Sequence, residues 1–181
     1  MRLSRRRLIG AAGFMACAAG AGIWPRMARA DTVSRRIAFN HLHTGEVLDV
    51  EFFRDDAFVP DALARIEVLL RDFRNGERHA IDPALITSIH DLALSLKVDP
   101  VFSVISGYRS PQTNDLLRSR SSGVAAHSLH LEGRAIDVRL AGVDCATLAS
   151  AAESLARGGV GYYRASDFVH VDTGRLRTWR G

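Results

Sequence analysis

Ser128-Leu129-His130-Leu131-Glu132-Gly133-Arg134-Ala135-Ile136-Asp137 is the stretch on which the reading of this chain turns. It sets a histidine and, seven positions on, an aspartate inside an otherwise apolar run. Gly133 supplies the backbone freedom for a tight turn between them. From Arg134 to Leu140 the residues alternate as in a strand, which puts Ala135, Asp137 and Arg139 on one face. A second patch, Asp167-Phe168-Val169-His170-Val171-Asp172, carries another histidine with one carboxylate three before it and one two after it. Segments distant in sequence become neighbours in a sheet, so the two patches can close one metal site from His130, Asp137 and His170. Two imidazoles and one carboxylate leave a coordination position open, the pattern of a catalytic zinc rather than a structural one. His127, three before His130, is a rival ligand or else a wall of the cleft.

A hydrolytic site needs more than a metal. Asp167 lies at the mouth of the strand bearing His170 and is the candidate general base. Asp172 shares the strand face of His170 and is better placed to hydrogen-bond a ligating imidazole. Upstream, Val101 to Ser106 reads as a strand ending in Gly107-Tyr108-Arg109-Ser110-Pro111. Ser110 can cap a helix whose first residue is Pro111. Arg109 therefore sits between a strand end and a helix start, where its permanent charge can stabilise an oxyanion.

The remaining pattern supplies a frame. Residues 35–53 read as a hairpin that turns at Thr44-Gly45, with His41 and His43 beside the turn as solvated residues or, less simply, a metal pair. Pro60 opens a helix with Leu63, Ile66, Leu69, Leu70 and Phe73 on one stripe, stopped at Asn75-Gly76. Asp82-Pro83 starts a second helix, and Asp144 caps a later one that closes at Gly158-Gly159. Residues 119–126 are small and polar and read as a loop. Val160 to Tyr163 and Phe168 to Val171 form a closing hairpin. This order predicts an α+β fold with a mainly antiparallel sheet and flanking helices.

Composition narrows the function. The whole chain is basic, with a net charge of +4. Six of its 24 basic residues fall within residues 1–30, which hold no acid. Beyond them, 18 basic residues face 20 acidic ones, a net of −2, and a nucleic-acid partner is excluded because phosphate binding needs a basic surface. Residues 1–30 read as an export signal: Ser4-Arg5-Arg6-Arg7-Leu8-Ile9 resembles a twin-arginine motif, an Ala- and Gly-rich run follows, and Ala28-Arg29-Ala30 is a small-x-small cleavage site. The run is short and dilute for a membrane anchor, and Phe14-Met15-Ala16 before Cys17 is a poor lipid-attachment motif. Residues 31–181 then form one domain, placed in the periplasm. Its single cysteine, Cys145, reads as a small buried hydrophobe.

Ser106 to Pro111, Ser128 to Asp137 and Phe168 to Asp172 together resemble the M15 group of zinc peptidases. Leu70 to Gly76 and the short C-terminus are similar to its DUF882 or YcbK-like branch. The resemblance implies a hedgehog/D-Ala-D-Ala-peptidase-like fold and one Zn2+ held by His130, Asp137 and His170. It implies Asp167 as general base, where several relatives carry glutamate, and Arg109 as the stabilising cation. It also implies a substrate: peptidoglycan stem peptides or their cross-links. The expectation is an exported zinc peptidase that opens murein cross-links. A stem-peptide carboxypeptidase and a non-catalytic wall-binding module on a peptidase frame are the alternatives.

Overall fold

A computed structural model describes residues 33–120 and 125–181. The leader reading for residues 1–30 lies outside them. The described chain folds as β1 (Arg35–His41), β2 (Val47–Arg54), β3 (Ala57–Phe58), α1 (Pro60–Leu69), α2 (Pro83–Ser95), β4 (Val101–Ser106), α3 (Pro111–Arg120), β5 (Ala135–Leu140), α4 (Cys145–Leu155), β6 (Gly159–Tyr163), β7 (Phe168–Asp172) and β8 (Arg177–Arg180). The strands form one sheet in the order β3-β2-β1-β4-β5-β7-β6-β8. Only the β1–β4 and β6–β8 pairs are parallel. The α+β class with a mostly antiparallel sheet is as the sequence indicates.

Strand alternation sorts the sheet into two faces. Ile136, Val138 and Leu140 of β5, Val169 and Val171 of β7, and Val160 of β6 are buried in the apolar core. Leu85, Ile86, Ile89 and Leu92 of α2 and Leu148, Ala149 and Ala152 of α4 pack into the same cluster. The intervening residues Asp137, His170 and Tyr163 lie on the opposite face and line a cleft. One face thus carries the stabilising burial and the other is left for chemistry.

Helix starts follow the capping residues read from sequence. Asp82 accepts from the backbone N–H of Ala84, Asp144 from that of Thr147, and Ser110 Oγ from that of Thr113. Two helix ends differ from expectation. α4 ends at Ala156, which takes the left-handed C-cap at φ 50°, ahead of Gly158-Gly159. α1 stops at Leu69 and does not run on to Phe73. The reason is competition for its backbone: the Leu70 carbonyl accepts from Tyr108 N at 2.7 Å. Asp72, fully buried, accepts from Ser110 N at 3.0 Å, Ser110 Oγ at 2.8 Å and Arg74 N at 3.1 Å. This knot clamps the Gly107–Ser110 segment.

Four further histidines, His41, His43, His79 and His90, do not line the cleft. His41 is fully buried, with its ring edge-on to Phe73, which corrects the reading of a solvated turn residue. His43 stacks on the same Phe73 ring. His90 is buried beside Asp91, and His79 bonds the Ala80 carbonyl. Cys145 is buried, and burial together with the neighbouring Asp167 carboxylate pushes its thiol up to about 11.

Burial would raise the Asp72 carboxyl, but its hydrogen bonds from Thr113, Ser110 and Arg74 hold it below the usual range. A depressed folded-state value means stability that is present above the unfolded carboxylate pKa and lost as pH falls. Asp72→Ala is therefore expected to cost about 2–3 kcal/mol near neutral pH by orphaning buried donors. Urea unfolding of both proteins should show the gap at pH 7 narrowing below pH 4.

Candidate metal centre

Asp137 and His170 stand directly opposite one another in the antiparallel β5–β7 pair. Cross-strand partners project from the same face of the sheet, so the register alone brings carboxylate and imidazole together. His130 arrives from a 3-10 turn, Leu129–Glu132. Ser128 caps that turn by accepting from His130 N. Gly133 ends it at φ 64°, and a side chain there would also strike the Ala80 carbonyl at 2.1 Å. No other residue fits that corner.

Three donor atoms converge. His130 Nε2 lies 3.2 Å from His170 Nδ1 and 3.3 Å from Asp137 Oδ1, and His170 Nδ1 lies 2.9 Å from Asp137 Oδ1. All three residues are buried and form a group able to hold a metal ion. The surroundings select the right ring nitrogens. His130 Nδ1 donates to the Gly107 carbonyl at 2.6 Å, leaving Nε2 for a metal. His170 Nε2 donates to Asp172 Oδ2 at 3.0 Å, leaving Nδ1. Asp172 is itself fully held: it accepts from Gly159 N, Gly174 N and Arg177. This is the supporting role read for it from its strand face.

The charges agree with the geometry. Burial opposes ionisation of Asp137, yet the two imidazoles keep its carboxyl far below the usual range. Burial lowers His130, with Asp137 pulling the other way. Burial would also lower His170, but Asp137 and Asp172 outweigh it and push the imidazole up to about 9. The two carboxylates that favour a charged His170 imidazole would equally favour a cation held by the cluster.

Arg109 reaches the same place from the end of β4. Its backbone N–H donates to the His130 carbonyl at 3.1 Å, which ties the two segments together. Its guanidinium is nearly buried, with Nη2 3.8 Å from Asp137 Oδ2, and its Nε has no partner among the described residues. A buried arginine with unused donors calls for an anion. The cleft above the cluster, about 360 Å3, is lined by Arg109, His130, Asp137 and His170, and also by His127 and Ser128.

Asp167 is the one candidate that the structure does not bring in. It sits in the β6–β7 turn at φ 52°, two-thirds exposed, with its carboxylate 3.4 Å from Arg139 Nε, and it does not line the cleft. Sequence reasoning also missed a wall of aromatic residues. Tyr163, Phe168 and Trp179 line the cleft together with Arg177. Trp179 belongs to β8, a strand too short and polar to show a period, and its only advance signal was a lone large aromatic near the C-terminus.

Two imidazoles and one carboxylate at the floor of an open cleft make up the donor set of a mononuclear metal-dependent hydrolase. Comparison with known proteins narrows that class. The family model described as peptidoglycan L,D-endopeptidase MepK matches residues 29–179, and the chain belongs to this M15 peptidase family. The peptidoglycan L,D-endopeptidase MepK of Escherichia coli K12 is 40% identical over 179 residues, covering 97% of each chain. A Haemophilus influenzae protein named a probable peptidoglycan L,D-endopeptidase MepK is 44% identical over 148 residues, 81% of this chain and 80% of that protein. No solved structure gives a significant match. The family implies a metal cofactor, and the His130, Asp137 and His170 donors suit one. Among the described residues no helix is long and apolar enough to cross a membrane.

With His170 pushed up to about 9 by Asp137 and Asp172, protons compete with a metal for its imidazole, so Zn2+ affinity should rise with pH up to about 9. Asp172→Asn should weaken it roughly 10–100-fold by loosening the His170 ring. Competition titration against a chelating dye reads both; an affinity flat from pH 6 to 9 contradicts the first.

Proposed function

We propose that this chain is a zinc peptidase of the bacterial envelope that hydrolyses L,D peptide bonds in peptidoglycan cross-links. The observation that carries the reading is the convergence of His130 Nε2, Asp137 Oδ1 and His170 Nδ1 within bonding distance of one common point. The bond type comes from the relatives, whose names specify an L,D-endopeptidase. A zinc ion held by these three residues would supply Lewis acidity, acidifying water and polarising the scissile carbonyl.

The chain's own groups perform the rest. Arg109, nearly buried and with its Nε unpartnered among the described residues, receives the carbonyl oxygen as negative charge grows on it. Asp172 and the Gly107 carbonyl keep both imidazoles from rotating away. Asp167 takes the general-base role on the strength of its spacing from His170. Asp137 is the only carboxylate lining the cleft among the described residues, and it is committed to the ligand cluster. For catalysis the Asp167 side chain must leave Arg139 and turn inward about the β6–β7 corner. Residues 1–30 serve as a twin-arginine signal that delivers the domain to the periplasm.

Purified cross-linked muropeptide dimers provide the test. The expected products are monomers, read by mass spectrometry; release of a single terminal residue would indicate a carboxypeptidase. His170→Ala should abolish turnover and lose the metal. Asp167→Asn should retain the metal and lower kcat by about a hundredfold or more. Wild-type kcat in that variant would remove Asp167 from the mechanism while leaving the metal centre in place.

A further inference from the structure

The aromatic wall contains a hydrogen-bond donor that the mechanism above does not use. Tyr163 ends β6 on the cleft face, and its ring stacks on Phe168 with centroids 4.6 Å apart. Trp179 pairs in register with Gly161 on the parallel β8 strand. A side chain on Gly161 would meet the indole at 2.3 Å, so glycine is what lets the indole lie flat across β6. From there the indole sits 5.1 Å from the His170 ring, and its Nε1–H donates to the Tyr163 hydroxyl at 3.0 Å.

That hydrogen bond has a direction. An indole N–H can only donate, so the phenol oxygen must accept. The phenol's own proton is then pointed elsewhere, and among the described residues nothing takes it. Tyr163 and Arg109 line the same cleft. The cleft thus has a cationic donor on the β4 side and a neutral donor on the β6 side, with the His130, Asp137 and His170 cluster on its floor.

We infer that Tyr163 is a catalytic residue: its phenol donates a hydrogen bond to the scissile carbonyl oxygen as that oxygen becomes anionic, and Trp179 is the positioning residue that aims it. The inference rests on the hydrolase reading of the metal centre. No proton changes owner in this step. The phenol remains neutral, and the bond strengthens as charge develops, which is how a preorganised donor lowers a barrier. A phenol with one lone pair already engaged is suited to donating and poorly suited to acting as a base.

The test uses the metal-loaded full chain and a cross-linked muropeptide. Tyr163→Phe keeps the ring and its stacking on Phe168, so metal content and circular dichroism should stay unchanged. Its kcat should fall about a hundredfold, the usual loss of one oxyanion donor, with KM within twofold. A phosphinate replacing the scissile amide should bind weaker by the same factor, while a non-hydrolysable ground-state peptide binds as before. Trp179→Phe should lower kcat less, and should cost nothing further in a Tyr163→Phe background. Wild-type kcat in Tyr163→Phe, or equal weakening of phosphinate and ground-state peptide, overturns the inference. His170→Ala separates the two readings. If it is inactive while Tyr163→Phe is not, only the tyrosine role fails; if it remains active, the metal centre falls as well.

Discussion

Asp137 and His170 meet because β5 and β7 pair in one register and no other. Side chains alternate with a period of two, so a slip of β7 by one residue would send His170 into the apolar core and bring Val169 and Val171 out into the cleft. That slip is prohibited by burial. Ile136, Val138 and Val169 are fully inside the core, and exposing such side chains costs roughly 1.5–3 kcal/mol each. The apolar half of each strand thereby sets the position of the polar half, and the hydrophobic face specifies the geometry of the reactive one.

Holding three ionisable groups within about 3 Å of one another requires a supporting shell, since an unpaired buried charge is far more costly than a paired one. Each member is answered. His130 is tied to the Gly107 carbonyl, His170 to Asp172, and Asp172 to two backbone amides and Arg177. Gly107 in turn belongs to the segment that Asp72 and Leu70 clamp, because Tyr108 N bonds Leu70 O and Ser110 bonds Asp72. The early termination of α1 therefore has a role at a distance. Had the helix continued through Leu70 to Phe73, the Leu70 carbonyl would have been engaged within it, and the Arg109 segment would have lost its anchor.

Which parts of this were legible in the sequence follows from the range of each signal. Capping residues at Asp82, Ser110 and Asp144 act within one turn, and they located the helix starts. The alternation of β5 and β7 is also local, and it indicated which residues share a face; the register that sets Asp137 against His170 came only with the sheet. The grouping of His130, Asp137 and His170 was readable because the strand-end Arg109 segment, the His130–Asp137 stretch and the Asp167–Asp172 patch follow one another in order along the chain. Three features were hidden because their causes lie elsewhere in the chain. α1 ends where tertiary bonds take its carbonyl. His41 is buried because Phe73 closes over it. Asp167 turns towards Arg139 because its left-handed backbone breaks the alternation that spacing arguments assume.

The position of β8 shows how an edge strand can matter more to function than to folding. It adds four residues to the rim of the sheet and contributes nothing to the apolar cluster beneath. Arg177, at its start, neutralises the buried Asp172 that orients His170, with a 2.6 Å bond to Oδ2. Trp179, two residues on and so on the same face, closes the cleft wall over His170. Both contacts bear on one imidazole from one short strand. Loss of β8 would leave the core intact while taking the counter-ion from Asp172 and the aromatic cover from His170, so this short strand serves the candidate metal centre more than the scaffold.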